Sequence, residues 1–166
     1  MLYIGQLKLE PSVCHISIWV FLFNFGTMKN VFSALIPEYY DILSNLDFYY
    51  FNLEVYDGLA PSDADGNYIL IGDRNSNQTD GKNNFNFDVQ VLLDIVIKDG
   101  TMGFEYNDYA VNKILGAINS EVTMDIGNDF QVVTTRLLSV NNLTGLNPTE
   151  PTFRTLIRFE HKISQL

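Results

Sequence analysis

The sequence predicts an α+β fold, in which a mostly antiparallel sheet of about five strands carries two helices packed on one face. Apolar residues recur at helical spacing over residues 30–46 and 106–118, and they alternate with polar residues over 87–98. Two further strand segments close the chain. With 166 residues, of which 46% are hydrophobic and 18% charged, a single domain can bury a substantial core.

The first predicted helix begins near Asn30 and runs for about 16 residues, with its apolar positions on one side. Pro37 lies inside the pattern. Because proline lacks an amide donor and clashes with the preceding turn, the sequence predicts either a kink near residues 33–36 or two shorter helices.

Two short strands are predicted next, at residues 51–56 and 68–72, separated by the Asp57-Gly58 turn and the fixed geometry of Pro61. The segment Asp73–Asn86 is rich in Asn, Asp, Gly and Ser, which predicts a long mobile loop. The acidic turn at residues 63–67 is interpreted as an ordinary β-turn, since position twelve of a calcium loop would hold Arg74.

The clearest strand covers residues 87–98 and predicts one buried face. After the second helix, strands are predicted at residues 130–140 and 153–163, with a turn-rich segment between them. In the last strand, Arg154, Arg158 and Lys162 project from the face opposite the apolar residues. Two interpretations stay open: these cations pair with carboxylates of an adjacent subunit, or with Asp88 and Asp94 within the sheet.

Residues 1–27 break the pattern of the rest. The apolar run Ile16–Phe23 is shorter than the roughly 20 residues that span a bilayer, so no membrane association is predicted. We interpret residues 1–27 as a non-native or accessory extension and residues 28–166 as one domain that begins at Met28. The alternatives are an extra strand or interface arm, and a targeting segment.

Charge and composition limit the function. A net charge of −10 argues against sequence-independent binding of nucleic acid, although it suits a channel through which DNA slides without binding. A solvated acidic surface is the simpler interpretation. The chain has a single cysteine, Cys14, and two histidines, His15 and His161, without the spacing of a metal site or a nucleophile pair. We therefore expect no catalytic, metal or cofactor site, and we expect that the protein is not an enzyme.

Three ordered features resemble the tail-completion and tail-terminator proteins of long-tailed phages. They are the first helix leading to Val55-Tyr56-Asp57-Gly58 with Ala60-Pro61 and Tyr68-Ile69-Leu70-Ile71-Gly72, the alternating strand followed by a helix, and the closing segment 152–161. The resemblance implies a ring, commonly a hexamer, that caps the head-proximal end of the tail tube. It also implies a place in the virion, after assembly in the cytoplasm of the bacterial host.

The partners implied by this resemblance are further copies of the chain, the tail-tube protein and the head completion or connector protein, with DNA passing through the ring without specific binding. The predicted interface contains cations and one aromatic residue: Arg74, Lys82, Phe85, Arg154, Arg158 and Lys162. The alternative function is a monomeric adaptor, or another neck component of a phage particle.

Overall fold

The structure, a computed structural model, describes residues 27–64, 66–81, 84–98, 104–121, 124–144 and 152–166. The interpretation of residues 1–26 therefore lies outside the described residues, and the start at Met28 stays a prediction. The predicted α+β class is confirmed. In chain order the elements are α1 Phe32–Ser44, β1 Glu54–Asp57, β2 Tyr68–Gly81, β3 Asn84–Ile97, α2 Glu105–Ala117, β4 Phe130–Thr144 and β5 Phe153–Gln165.

The strands form one five-stranded sheet in the order β1-β2-β3-β5-β4. Only β1 and β2 run parallel in the described sheet; the other neighbours are antiparallel. Gly58 has a φ of 81°, which a glycine adopts without strain, and its amide donates to the carbonyl of Ile71 at 3.0 Å. The strand order leaves the sheet with two different edge strands, the short β1 and the long β4.

Both helices pack on the same face of the sheet, as predicted. Tyr39 of α1 contacts His161, and Asn107 of α2 contacts Thr155; these two β5 residues lie an even number of positions apart and therefore face the same way. Alternate residues of β3 and β5 join them in the core, with no exposed surface or almost none: Val89, Val91, Leu93, Ile95, Ile97, Ile157, Phe159 and Ile163.

Pro37 lies within α1, which is one helix rather than two. Proline removes the hydrogen bond that the carbonyl of Ser33 would otherwise receive. Ser33 and Pro37 are both exposed, so water can solvate that carbonyl. The buried side of the helix, with Leu35, Tyr39 and Leu43, stays continuous across the proline.

The prediction of a mobile loop over Asp73–Asn86 is wrong for the described part. β2 continues to Gly81 and pairs with β3 from Arg74↔Val91 to Gly81↔Asn84, after a register shift between Ile71 and Arg74. Asn and Ser have low strand propensity, but that preference spans only about 1 kcal/mol. The backbone bonds that β3 offers outweigh it, since the side of β3 opposite β5 would otherwise lack a neighbour along half its length.

Other boundaries also differ from prediction. β1 begins at Glu54, because Phe51 packs against Tyr106 at a ring distance of 5.1 Å instead of pairing in the sheet. β4 extends to Thr144, into the segment predicted as a turn. At its other end, β5 extends to Gln165. Residues 145–151 lie outside the described residues.

Candidate assembly surfaces

Exposed large apolar side chains concentrate in two segments of the chain. β4 carries five of them, and the segment from Met28 to Leu59, which contains α1 and β1, carries another five. Within the described ranges, β2, β3, β5 and α2 carry none. The complete set is Met28, Tyr40, Tyr49, Tyr50, Leu59, Val133, Leu137, Leu138, Val140, Leu143 and the terminal Leu166.

β4 is exposed because the helices lie elsewhere and because the strand is irregular. α1 packs mainly on β1, and α2 packs on β3 and β5. The pairing of β4 with β5 shifts register between Val132 and Thr134 and again between Leu137 and Ser139. Such bulges place an additional side chain at the edge. Val133, at the first bulge, is 64% exposed.

The outer side of β4 has no strand beside it in the described fold. An edge strand presents unpaired amide and carbonyl groups, and monomeric proteins usually blunt such an edge with charge or proline. β4 contains no proline and no acidic residue, and its only charge is Arg136. This strand is therefore well suited to contact another chain.

Charge is distributed unevenly across the sheet. Residues 30–64 hold six acidic residues and no Lys or Arg; we call this segment the acidic edge, with Glu38, Asp41, Asp47, Glu54, Asp57 and Asp63. β4 and β5 together hold four basic residues and one acidic residue, Glu160; we call this hairpin the basic edge, with Arg136, Arg154, Arg158 and Lys162. The strand order places β1 of the acidic edge and β4 of the basic edge at opposite ends of the sheet.

Most cations of the basic edge pair within the sheet, as the second of the two open interpretations predicts. Arg154 forms an ion pair with Asp94, Lys162 with Asp88 at 3.4 Å, and Arg136 with Glu160. Arg158 lies opposite Leu92 and Ser139 and forms no ion pair with any described residue. Contacts with a neighbouring subunit remain a prediction for all of them.

The pair between Arg154 and Asp94 is the most buried of these. The Asp94 side chain is 8% exposed, and the Arg154 Nε lies 3.2 Å from its Oδ1. The hydrogen bond with Asp94 raises the pKa of Arg154, while partial burial acts in the opposite direction. Asp94 therefore depends on Arg154 for its charge compensation.

Two of the other predicted interface residues, Arg74 and Phe85, lie in β2 and β3. Arg74 forms an ion pair with Asp57 of β1, which ties β2 to the neighbouring strand end. Phe85 is partly buried against the core. Lys82 lies outside the described residues. The structure therefore gives Arg74 and Phe85 contacts within the chain, and their role in an interface stays a prediction.

An aromatic cluster borders the acidic edge. Tyr50 stacks on Tyr106 of α2 at 6.3 Å between ring centres and meets Tyr109 edge to face at 5.3 Å. Tyr49 packs edge to face on Tyr50 at 5.1 Å and is 81% exposed. Tyrosine on a supported, partly exposed surface is typical of the centres of protein interfaces.

A buried polar chain connects three elements. The Tyr39 hydroxyl of α1 lies 2.6 Å from Nε2 of His161, and Nδ1 of His161 lies 3.0 Å from the Thr135 hydroxyl of β4. A neutral imidazole has one donor and one acceptor, so it can satisfy both hydroxyls. Burial lowers the pKa of His161 to about 4, with Glu160 acting in the opposite direction, and burial raises the pKa of Tyr39.

A second polar chain links α2 to the same two strands. Asn107 Nδ2 donates to the Thr155 hydroxyl at 3.0 Å, and this hydroxyl donates to Asn142 Oδ1 at 3.0 Å. The Asn107 Oδ1 is buried and has no hydrogen-bond partner among the described residues. β4 is thus held to the helix layer by polar contacts at Thr135 and Asn142.

Two other features, a metal centre and a membrane-spanning helix, are absent from the described residues. In those residues, no group of three or more His, Cys, Asp or Glu side chains is arranged to hold a metal ion. Neither α1 nor α2 has the length and apolar character required to cross a bilayer.

Comparison with known proteins gives a result at the level of fold. No protein-family model and no curated protein sequence matches the chain. Nineteen chains of solved structures match. One belongs to the structure described as the virion of a native gene transfer agent particle: its TM-score is 0.56 at 13% sequence identity, over 81% of this chain and 91% of that chain. At this identity the likeness shows a shared fold.

The sequence-based interpretation missed the exposed apolar surface of β4, although a signal was present. The doublets Val132-Val133 and Leu137-Leu138 interrupt the alternation of a half-buried strand. Both doublets coincide with the register shifts of β4. An apolar doublet within an alternating strand therefore indicates a bulge with an exposed side chain.

Proposed function

We propose that this chain is a structural protein of a phage-like particle, which caps the head-proximal end of the tail tube as a ring, ends growth of the tube and joins the tail to the head. One observation carries the proposal: the fold resembles a chain of a gene transfer agent virion over 91% of that chain's length. The ordered motifs that resemble tail-completion proteins give the more specific role.

The two edges of the sheet support a role in assembly. A ring of identical subunits with a head-to-tail contact requires two different surfaces that complement each other. The acidic and basic edges differ in charge and both expose apolar side chains. In this proposal the chain acts without catalysis and forms a ring of six copies. The ring contacts the tail-tube protein on one side and the head connector on the other.

The test removes the gene from the particle that encodes it and examines the products by electron microscopy. We expect heads without attached tails and tubes of uncontrolled length, and we expect a copy of the gene supplied in trans to restore both. Tails of normal length joined to heads would refute the proposal.

A second measurement addresses the adaptor alternative. Mass photometry of the purified chain, alone and with tail-tube protein, should detect closed rings or an assembly that depends on concentration. A chain that stays monomeric under both conditions would favour the adaptor.

A further inference from the structure

We infer that the basic edge of one copy binds the acidic edge of the next copy, so that the free side of β4 faces α1 and β1 of its neighbour. The inference deepens the proposed ring and rests on it. The proposed binding partner of β4 is a second copy of this chain, and three independent features of the described residues point to that partner.

The first feature is charge. The acidic edge has six carboxylates and no cation of its own, and the basic edge has four cations and one carboxylate. In the described residues, only Asp57 of the six forms an ion pair, with Arg74. A contact between two basic edges would bring Arg136 and Arg158 near their own copies, whereas a contact between unlike edges brings opposite charges together.

The second feature is the location of apolar surface. Ten of the eleven exposed large apolar residues lie either on β4 or between Met28 and Leu59. Four strand spacings of about 4.8 Å separate β1 from β4, so these two edge strands are roughly 19 Å apart across the sheet. Aliphatic side chains dominate one surface and tyrosines the other, including Tyr40, Tyr49 and Tyr50. One subunit cannot cover both, but a neighbour on each side can.

The third feature is the position of Asp41. It lies in the last turn of α1, where no basic residue is present. The helix dipole disfavours a negative charge at a carboxyl end. Asp41 is exposed, and its described side-chain hydrogen bond comes from the amide of Asn45 at 3.1 Å. A carboxylate that is unfavourable in the free subunit is consistent with a cationic partner from outside the subunit.

The test uses one variant for each edge. The basic-edge variant combines Val133→Asp with Arg136→Glu, and the acidic-edge variant combines Asp41→Lys with Asp47→Lys; all four residues are exposed. We expect wild type to assemble beyond two copies, and each variant alone to require a concentration about tenfold higher or more. An equimolar mixture of the two variants keeps one intact pair of edges and brings the two altered edges together with opposite charges, so it should assemble at concentrations where neither variant does alone.

Glu121→Lys provides a matched control, because it reverses an exposed charge beyond the end of α2, outside both edges. It should assemble like wild type, and all variants should remain folded, with a slightly raised melting temperature where Asp41→Lys is present. If a double variant fails to fold, Val133→Asp and Asp47→Lys are used singly.

The outcomes separate this inference from the proposed function. Wild-type rings with normal assembly of either edge variant would leave the ring intact and overturn the assignment of its edges. A mixture that assembles no better than either variant alone would also overturn it, as would an equal loss in Glu121→Lys. Wild type that remains monomeric even with tail-tube protein would refute both proposals.

Discussion

The two edges of the sheet differ in how they are protected. β1 has four residues, Glu54–Asp57, with a carboxylate at each end and α1 packed beside it. β4 has fifteen residues, five exposed apolar side chains and a single charge. A short, charged edge resists pairing with other strands, whereas a long apolar edge promotes it. The comparison makes β4 the edge better suited to pair with another chain.

The two edges are nevertheless one mechanical unit. Tyr39 comes from the helix of the acidic edge and Thr135 from the strand of the basic edge, and His161 bonds to both. Any loosening of this buried chain therefore affects how β4 is presented to a neighbour.

The largest expected effect comes from His161→Ala, which removes the link between the edges. The substitution leaves a cavity and two buried hydroxyls without a partner, and we expect unfolding to become easier by about 4 kcal/mol. Tyr39→Phe removes one hydroxyl and should cost about 1 to 2 kcal/mol. Chemical denaturation measures both; equal losses in the two variants would contradict the role of His161 as the bridge.

Acid should weaken the same link. His161 has a pKa of about 4 in the folded chain against an ordinary value of 6.5, so the unfolded chain binds the proton first as the pH falls. Stability is fully present above pH 6.5 and decreases toward pH 4, by at most about 3 kcal/mol from this group. Denaturation at several pH values tests it, and His161→Gln should lack this part of the slope. An unchanged slope in that variant would place the acid sensitivity elsewhere.

Two ion pairs on the basic edge should differ in strength. Arg154→Ala leaves the nearly buried Asp94 without its cation, which should cost about 2 kcal/mol. Lys162→Ala breaks a pair whose members are 58% and 32% exposed, and it should cost at most about 0.5 kcal/mol. Urea denaturation measures the loss of stability in each variant. A larger loss in Lys162→Ala than in Arg154→Ala would contradict the ranking of the two ion pairs by burial.

The smallest effect should have opposite signs in the free and assembled chain. Asp41→Lys places a cation at the carboxyl end of α1, which should stabilise the monomer by about 0.5 kcal/mol. The same substitution should weaken assembly, because it reverses a charge on the acidic edge. Thermal unfolding of dilute monomer and mass photometry at higher concentration measure the two effects. A stronger assembly would contradict the proposed contact.

The sequence predicts the regular half of this fold well. Alternation in β3 and the position of His161 among the apolar residues of β5 are both visible from spacing alone, because burial on one face imposes a period of two. The polar half of β2 could not be predicted, because Asn75, Ser76 and Asn77 have a composition typical of a loop. Their strand conformation depends on pairing with β3. Sheet order is not a local property.

The candidate surface was predicted only in part. Arg154 and Lys162 do lie on one face, but the sequence left open whether Asp94 and Asp88 or a neighbour would pair with them. The separation of acidic and basic edges became visible only with the strand order, which places segments distant in the chain at the two ends of one sheet.

Hydrogen–deuterium exchange tests the central claim most directly, by comparing assembled and monomeric wild-type chain. The account predicts that amides of residues 130–144 gain protection on assembly, together with those of residues 38–57, while the already paired centre of β3 changes little. Unchanged exchange along β4 in a fully assembled sample would contradict it.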